Sequence, residues 1–161
     1  MNEIQLLREQ LAAERRHVRE VAAACAAAYR LAPVRPADAA LGRLRRAGCE
    51  YLGCVLGWFE ERDARLRAYS ATSCGDAGRR ALEVLGTLAA EGEARAGWEA
   101  LCDLINGPWD GQRSASAALL DSLAHVADWR AVAAIDADSI YRERALYAQV
   151  RAALPPGVAL A

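Results

Sequence analysis

Apolar residues over the first thirty positions recur in alternating steps of three and four. The series is Ile4, Leu7, Leu11, Val18, Val21, Cys25 and Ala28. This spacing places one face of an α-helix in the core, so we predict a helix over residues 3–30. Glu14 stands where the pattern expects an apolar residue. The buried face of this helix is therefore expected to carry one carboxylate.

Breaks in the pattern separate three further helices. Two prolines interrupt the chain after residue 31, and Pro36 suits the first turn of a second helix. Glycines near Gly75 mark the next connection, and Asn106-Gly107-Pro108 is a typical helix stop. Ser114 or Ser116 can cap the last helix. The predicted spans are 36–69, 77–105 and 114–154, the last of them one long helix or a helix broken near Asp128.

No segment shows the alternation of apolar and polar residues that is typical of strands. The connections between the predicted helices are short, which favours antiparallel neighbours. We therefore predict an all-α fold, an up-and-down antiparallel four-helix bundle that occupies residues 1–161 as a single domain.

Charge and composition exclude several classes of partner. All 20 basic residues are Arg, and with 21 acids the formal net charge is −1. There is no basic excess to bind phosphate backbones, so we expect no nucleic-acid partner. No apolar run is long enough to cross a membrane. The acidic, amphipathic start lacks a secretory signal, and we expect a cytoplasmic protein.

Charged residues of different helices are predicted to meet at one height of the bundle. At about 1.5 Å of rise per residue, Glu14, Glu91 and Glu143 lie at similar distances from one end, level with Trp58 and Arg62. The candidate binding cluster is Glu14, His17, Trp58, Arg62, Glu91, Arg95 and Glu143. If these acids face inward, arginines or a cation must neutralise them; if they lie at the bundle edge, they are solvated or form ordinary ion pairs.

Two segments resemble motifs of the hemerythrin-like, cation-binding four-helix family. The run from Trp58 to Asp63, Trp-Phe-Glu-Glu-Arg-Asp, looks like the His-Phe-x-x-Glu-Glu element of that family. The segment from Ser139 to Tyr147 looks like its last helix, His-x-x-x-Glu-Glu-x-x-Leu-Phe. The resemblance implies a four-helix bundle with a cation site at its centre.

The chain departs from the family at the positions of the metal ligands. On this alignment Trp58 and Ser139 stand at His positions and Arg62 stands at a Glu position, while Glu143 keeps a carboxylate. A di-iron site of this type needs several imidazoles, and the chain has two histidines. The resemblance therefore implies a degenerate member without a bound metal or other cofactor, in which an aromatic ring and Arg–carboxylate pairs fill the site.

Three functions remain open at this point. The leading hypothesis is a non-catalytic binding or regulatory module for an unknown small molecule or protein. The alternative is a di-metal carboxylate protein, because Glu14 and His17 have the Glu-x-x-His spacing of such sites and Glu91 and Glu143 are predicted at the same level. The third is a protein that forms a homodimer through its helix faces. No phosphate-binding loop or nucleophile motif favours an enzyme.

Overall fold

The computed structural model describes residues 2–31, 39–70, 74–90, 94–124 and 128–160. Over these ranges the chain is helical and contains no strand. The helices are α1 (Glu3–Leu31), α2 (Ala39–Tyr69), α3 (Ala77–Ala89), α4 (Ala94–Leu104), α5 (Asp110–Ser122), α6 (Trp129–Ala133) and α7 (Ala137–Ala153), with a π-helical turn, Ile105–Trp109, between α4 and α5. The predicted all-α class is confirmed.

The first two helices lie where the apolar pattern predicts them. Asn2 Oδ1 accepts a hydrogen bond of 2.8 Å from the backbone N–H of Gln5 and so caps the start of α1. α1 ends at Leu31 and α2 at Tyr69, each within one residue of the prediction. The predicted start of the second helix, at residue 36, lies outside the described residues.

The third predicted helix, over residues 77–105, is two helices in the structure. α3 ends at Ala89, and α4 begins at Ala94. The two helices approach closely at Gly97, where an added Cβ would lie 2.5 Å from Leu88 Cδ2. The prediction of one helix was wrong because it gave the helix propensity of the Ala-rich segment more weight than Gly92, which is a stop signal in this connection.

The predicted stop at Asn106-Gly107-Pro108 is also wrong. The chain passes through this segment as a π-helical turn and continues directly into α5. Pro108 cannot donate the usual backbone hydrogen bond, and a local π-turn accommodates such a position without ending the helix. Ile105 and Trp109 are fully buried on either side of it. Packing of these side chains therefore outweighs the local stop signal.

The last predicted helix, over residues 114–154, is replaced by α5, α6 and α7. The break expected near Asp128 is present, because Asp128 caps the start of the short helix α6. Ala134 has a φ of 47° and ends α6, and Asp136 Oδ1 then accepts a 2.7 Å hydrogen bond from Ser139 N at the start of α7. Two Asp caps thus divide a segment that was predicted as one helix.

Contacts between the helices give their directions. α1 and α2 are antiparallel, because the Tyr29 hydroxyl donates to the Leu41 carbonyl near one end and Arg62 pairs with Glu14 towards the other. The continuous segment α4–α5 is antiparallel to α1 as well: Arg95 reaches the carbonyl of Arg30, whereas Asp121 pairs with Arg8.

α7 packs against both α2 and α1. The Tyr51 hydroxyl contacts Glu143, and the Arg62 side chain contacts the carbonyl of Ala133 just before α7. α7 is therefore antiparallel to α2 and parallel to α1. The up-and-down bundle prediction placed the last helix antiparallel to α1. In the structure the α4–α5 segment runs antiparallel to α1, because the chain continues through Pro108 without reversing its direction.

The core is formed by α1, α2, α3, α4, the π-helical turn and α7, with a smaller group of apolar residues around α6. Gly48 of α2 allows the side chains of Cys25 and Trp98 to approach the α2 backbone closely: an added Cβ would lie 2.8 Å from Cys25 Sγ and 3.3 Å from the Trp98 ring.

Among the described residues, no helix combines the length and the apolar character that a membrane span needs. The site residues lie at the middle of this helix assembly.

Candidate functional site

Glu14 and Arg62 form a buried ion pair between α1 and α2. Arg62 Nη1 lies 2.5 Å from Glu14 Oε2, and Arg62 Nε donates a 2.9 Å hydrogen bond to the carbonyl of Ala133. Glu14 is fully buried and Arg62 is 5% exposed. An arginine thus neutralises this inward-facing acid, which is one of the arrangements that the sequence left open.

Burial dominates the electrostatics of Glu14. Loss of hydration raises the pKa of the Glu14 carboxyl, although the charge and the hydrogen bonds of Arg62 act in the opposite direction. A buried carboxylate is tolerated here because the guanidinium compensates its charge. Arg62 therefore occupies the place next to Glu14 that a bound cation would need.

Glu143 of α7 is satisfied by a different pair of donors. His17 Nδ1 donates to Glu143 Oε1 at 2.6 Å, and the Tyr51 hydroxyl donates to the same oxygen at 2.8 Å. Burial alone would raise the pKa of Glu143, but these hydrogen bonds outweigh it and the pKa is lowered. The residue is 1% exposed. Glu143 is thus held as a carboxylate by neighbours from α1 and α2.

Tyr147 extends this network to the surface of α1. Its ring stacks on the His17 imidazole with the two centroids 4.0 Å apart, and its hydroxyl donates to Glu20 Oε2 at 2.8 Å. Burial and the charge of Glu20 raise the pKa of the Tyr147 hydroxyl, so it stays protonated as a donor. The stacked ring fixes the plane of the imidazole that contacts Glu143.

The other predicted site residues have different outcomes. Trp58 is half-buried, and its ring lies 5.9 Å from Arg62 Cζ, within cation–π distance. Arg95 does not join the cluster: it is exposed at the start of α4 and donates to the Arg30 carbonyl at 2.7 Å. The break between α3 and α4 puts it beside the far end of α1. Glu91 lies outside the described residues.

The described residues contain no group of three or more His, Cys, Asp and Glu side chains that could hold a metal ion. The contacts of Glu14 and Glu143 explain why these two carboxylates do not form a metal site. Arg62 neutralises Glu14, while Tyr51 and His17 occupy Glu143 Oε1. The donor set that the di-metal alternative requires is therefore not assembled in this part of the chain.

A second buried ion pair, next to the first, was missed by the sequence reasoning. Asp63 contacts Arg113 and accepts hydrogen bonds from Gln112 Nε2 at 2.7 Å and from the Ser116 hydroxyl at 2.9 Å. A signal was available in the sequence, because Arg62 and Asp63 continue the buried stripe of Phe59 and Leu66 at helical spacing. Polar residues on such a stripe predict buried partners on another helix.

Arg113 is nearly fully buried and keeps one unused donor. Its Nε–H has no hydrogen-bond partner in the described structure, although the residue is 5% exposed. The guanidinium lies over the rings of Phe59 and Trp109, at 4.7 and 5.4 Å from their centroids. Arg113 and Arg62 belong to the walls of an open groove.

This groove has a volume of about 1000 Å³ and runs along α1. The α1 positions that line it are Arg8, Leu11, Ala12, Arg15, Arg16, Arg19, Glu20, Ala23, Ala24, Ala27, Arg30 and Leu31. Phe59 and Leu66 of α2 contribute at one part, and α5 with α6 forms the opposite wall. Ion pairs bridge the two walls, Arg8 with Asp121 at 2.9 Å and Arg15 with Asp110 at 2.7 Å.

Sequence reasoning did not find the groove, because it depends on how far α5 stands from α1. One signal in the sequence could have indicated the groove. Beside the apolar stripe of α1, one face of the helix carries mainly arginines and alanines, whereas a face in contact with solvent usually carries charges of both signs. Seven of the lining residues are Arg and three are Asp or Glu. The groove is thus cationic within a chain whose formal net charge is −1.

No family model, curated protein or solved structure matches this chain. The function is therefore argued from the geometry of the bundle centre and of the groove.

Proposed function

We propose that this protein is a non-catalytic binding module, a degenerate hemerythrin-like bundle that binds a small molecule in the groove along α1. In this proposal α1, α2, α3 and the α4–α5 segment form the up-and-down four-helix bundle, and α7 is added against α1 and α2. The cation site of the family is replaced by contacts among the protein's own side chains.

The state of the two buried glutamates supports the loss of the cation site. Arg62 supplies the positive charge beside Glu14, and two hydrogen-bond donors stabilise Glu143. A cation placed between them would have to displace Arg62 or compete with its charge, which is unfavourable in a buried site. These contacts link α1, α2 and α7 directly through protein side chains.

The chemistry of the thiols supports a non-catalytic role. Burial raises the pKa of the Cys102 thiol to about 11 and that of Cys25 further still. Because the thiolate is the reactive form, neither residue is a ready nucleophile at neutral pH. All five cysteines are free, which fits the reducing cytoplasm that we propose as the location.

The groove is the observation that carries the binding role. Small-molecule sites are concave, mostly apolar, and about 300–1,000 Å³ in volume. The groove along α1 reaches that size, and alanine, leucine and aromatic side chains form much of its wall. Its polar groups converge from α1, α2 and α5, which is the arrangement that fixes the orientation of a ligand.

A neutral apolar dye tests this function directly. N-phenyl-1-naphthylamine becomes fluorescent in apolar sites, and we expect it to bind with saturable, one-to-one stoichiometry. The variant Ala117→Trp fills the groove, because Ala117 lines it. We expect at least tenfold weaker dye binding for this variant.

The matched control is Ala118→Trp. Ala118 is the next residue of α5, is equally exposed, and does not line the groove. This control separates filling of the groove from the effect of a tryptophan on helix stability. Equal dye binding by both variants, with unchanged circular dichroism, would contradict the proposed function.

A further inference from the structure

The dimensions of the groove limit what can occupy it. Its α1 wall extends from Arg8 to Leu31, which at about 1.5 Å of rise per residue is a length of about 35 Å. A volume of about 1000 Å³ spread over this length gives a mean cross-section of about 30 Å². The groove is long and narrow.

A helix from a partner protein, about 10 Å wide with its side chains, would lie only partly inside this groove. An extended peptide would fit by width. However, its backbone polar groups would face helices whose own backbone groups are already hydrogen-bonded. A single alkyl chain meets neither obstacle.

The two parts of the groove differ in polarity. Around α5 and α6 the wall includes Leu66, Leu120, Trp129 and Val132, which are all buried. These side chains offer an apolar tail a partly apolar wall, beside charges that are already paired, Arg8 with Asp121 and Arg113 with Asp63. Further along α1 the wall consists of small alanines with arginines at the rim.

Arg16 and Arg19 are exposed arginines of the groove wall whose acidic neighbours are distant. Arg16 Nε is 3.9 Å from Glu20 Oε1, and the other oxygen of Glu20 accepts from Tyr147. Arg19 Nη1 is 3.7 Å from Asp110, whose carboxylate is held more closely by Arg15 at 2.7 Å. Both arginines line the groove, one helical turn apart.

The charge count agrees with these distances. The lining residues carry seven arginines and three acids, an excess of four positive charges. Glu14 and Asp110 pair with lining arginines without lining the groove themselves, and counting them still leaves an excess of two. Arginine pairs bind carboxylate and phosphate groups through paired N–H donors.

We propose that the ligand of this groove is a single-chain amphiphile with an anionic head, a carboxylate or a phosphate. Arg16 and Arg19 bind the head, and the tail lies along Leu11 towards Trp129. This inference rests on the proposed binding function and names the class of molecule that serves it.

Four compounds with ten-carbon chains and different head groups test the proposal: decanoate, decyl phosphate, 1-decanol and decyltrimethylammonium. Each is titrated below its micelle concentration, by calorimetry and by displacement of N-phenyl-1-naphthylamine. We expect the two anions to bind at least tenfold more tightly than the alcohol or the cation. Comparison of decanoate with decyl phosphate separates a fatty-acid head from a phospholipid-type head.

The dependence of affinity on chain length tests the placement of the tail. Lengthening the chain from decanoate to dodecanoate should strengthen binding by about fourfold per added methylene, as long as the groove still has room. An affinity independent of chain length would overturn the placement of the tail.

The double variant Arg16→Gln/Arg19→Gln tests the placement of the head. Both residues are exposed, so the variant is expected to fold. It should lose the preference for anions, to within about twofold of 1-decanol, while its affinity for the neutral dye is unchanged. The control is Arg65→Gln/Arg67→Gln, which removes two exposed arginines that do not line the groove and should keep the preference.

The outcomes separate this inference from the proposed function. Dye binding that is lost in Ala117→Trp, combined with equal affinity for anionic and cationic amphiphiles, would overturn the anionic head alone. Absence of binding by the dye and by all four compounds would overturn both. Dye binding that falls as protein concentration rises would show that a second copy of the chain covers the groove, and would also overturn the inference.

Discussion

The bundle centre and the groove are both lined by arginines and acids, but their charges are balanced differently. At the centre, Arg62 compensates Glu14, and hydrogen bonds from His17 and Tyr51 satisfy Glu143. Along the groove, Arg16 and Arg19 have only distant acidic neighbours. The compensated charges at the bundle centre hold helices together, whereas the arginines along the groove remain available to a ligand.

The largest expected effect is at the bundle centre. Arg62→Ala leaves the buried Glu14 carboxylate without its counter-charge, and one-sided loss of a buried pair costs about 3–5 kcal/mol of unfolding free energy. Denaturant unfolding at neutral pH measures it. The control is Arg65→Ala on the exposed side of the same helix, for which we expect a change within about 0.5 kcal/mol.

A second substitution shows whether the charge is the cause. Adding Glu14→Gln to Arg62→Ala removes the uncompensated carboxylate and should recover part of the lost stability. If the double variant is no more stable than Arg62→Ala, the loss comes from packing and the centre is not a charge-balanced site.

A smaller effect is expected at Glu143. Tyr51→Phe removes one of its two donors and leaves the ring in place, so we expect a loss of about 1–3 kcal/mol, typical of a hydrogen bond to a charged group. Tyr141→Phe removes a hydroxyl from a residue that is 77% exposed and should have no measurable effect. Equal unfolding midpoints for the two variants would show that the hydroxyl of Tyr51 does not stabilise Glu143.

The pKa shifts of the two glutamates predict opposite effects in acid. Hydrogen bonds lower the pKa of Glu143, so its contribution to stability is present above the unfolded-state value of about 4.3 and is lost as pH falls through the folded-state value. Burial raises the pKa of Glu14, so its contribution is present below the unfolded-state value and is lost as pH rises through the folded-state value.

Unfolding free energies between about pH 3 and pH 7 therefore distinguish two variants. Glu143→Gln should reduce the loss of stability on acidification relative to the unsubstituted protein, and Glu14→Gln should increase it. If both variants changed the loss of unfolding free energy on acidification in the same direction, the two carboxylates would have pKa values shifted in the same direction, which would contradict the opposite shifts of Glu14 and Glu143.

The smallest effect on stability is expected at the rim of the groove. Arg16→Gln and Arg19→Gln change exposed residues, so each should alter the unfolding free energy by less than about 0.5 kcal/mol. Thermal unfolding of the single variants checks this. A loss above about 1 kcal/mol at either position would place that arginine among the structural contacts and remove it from the charge available to a ligand.

The apolar period predicted α1 and α2 well, because each has a continuous stripe of buried residues. It failed after residue 89, where Gly92 was given less weight than the helix formers around it, and at Pro108, where the stop signal is overridden by buried Ile105 and Trp109. Local chain preferences are weaker than the burial of two large side chains. For this reason the directions of the last helices could not be read from the sequence.

Part of the candidate site was predictable for a similar reason. Glu14 interrupts a buried stripe, and a carboxylate there requires a partner, which Arg62 supplies from α2. Arg95 was misplaced because its position depended on one unbroken third helix. The arginines and alanines beside the apolar stripe of α1 were a signal of the groove, but its width could not be predicted, since it depends on the separation of α1 and α5.

In our proposal the groove binds the ligand, while the bundle centre only holds the fold. The affinity for N-phenyl-1-naphthylamine, measured side by side for Ala117→Trp in the groove and Tyr51→Phe at the centre, distinguishes the two regions. We expect at least tenfold weaker binding for Ala117→Trp and unchanged binding for Tyr51→Phe. Unchanged binding for Ala117→Trp, together with a loss for Tyr51→Phe, would place the binding site at the bundle centre and overturn the proposal.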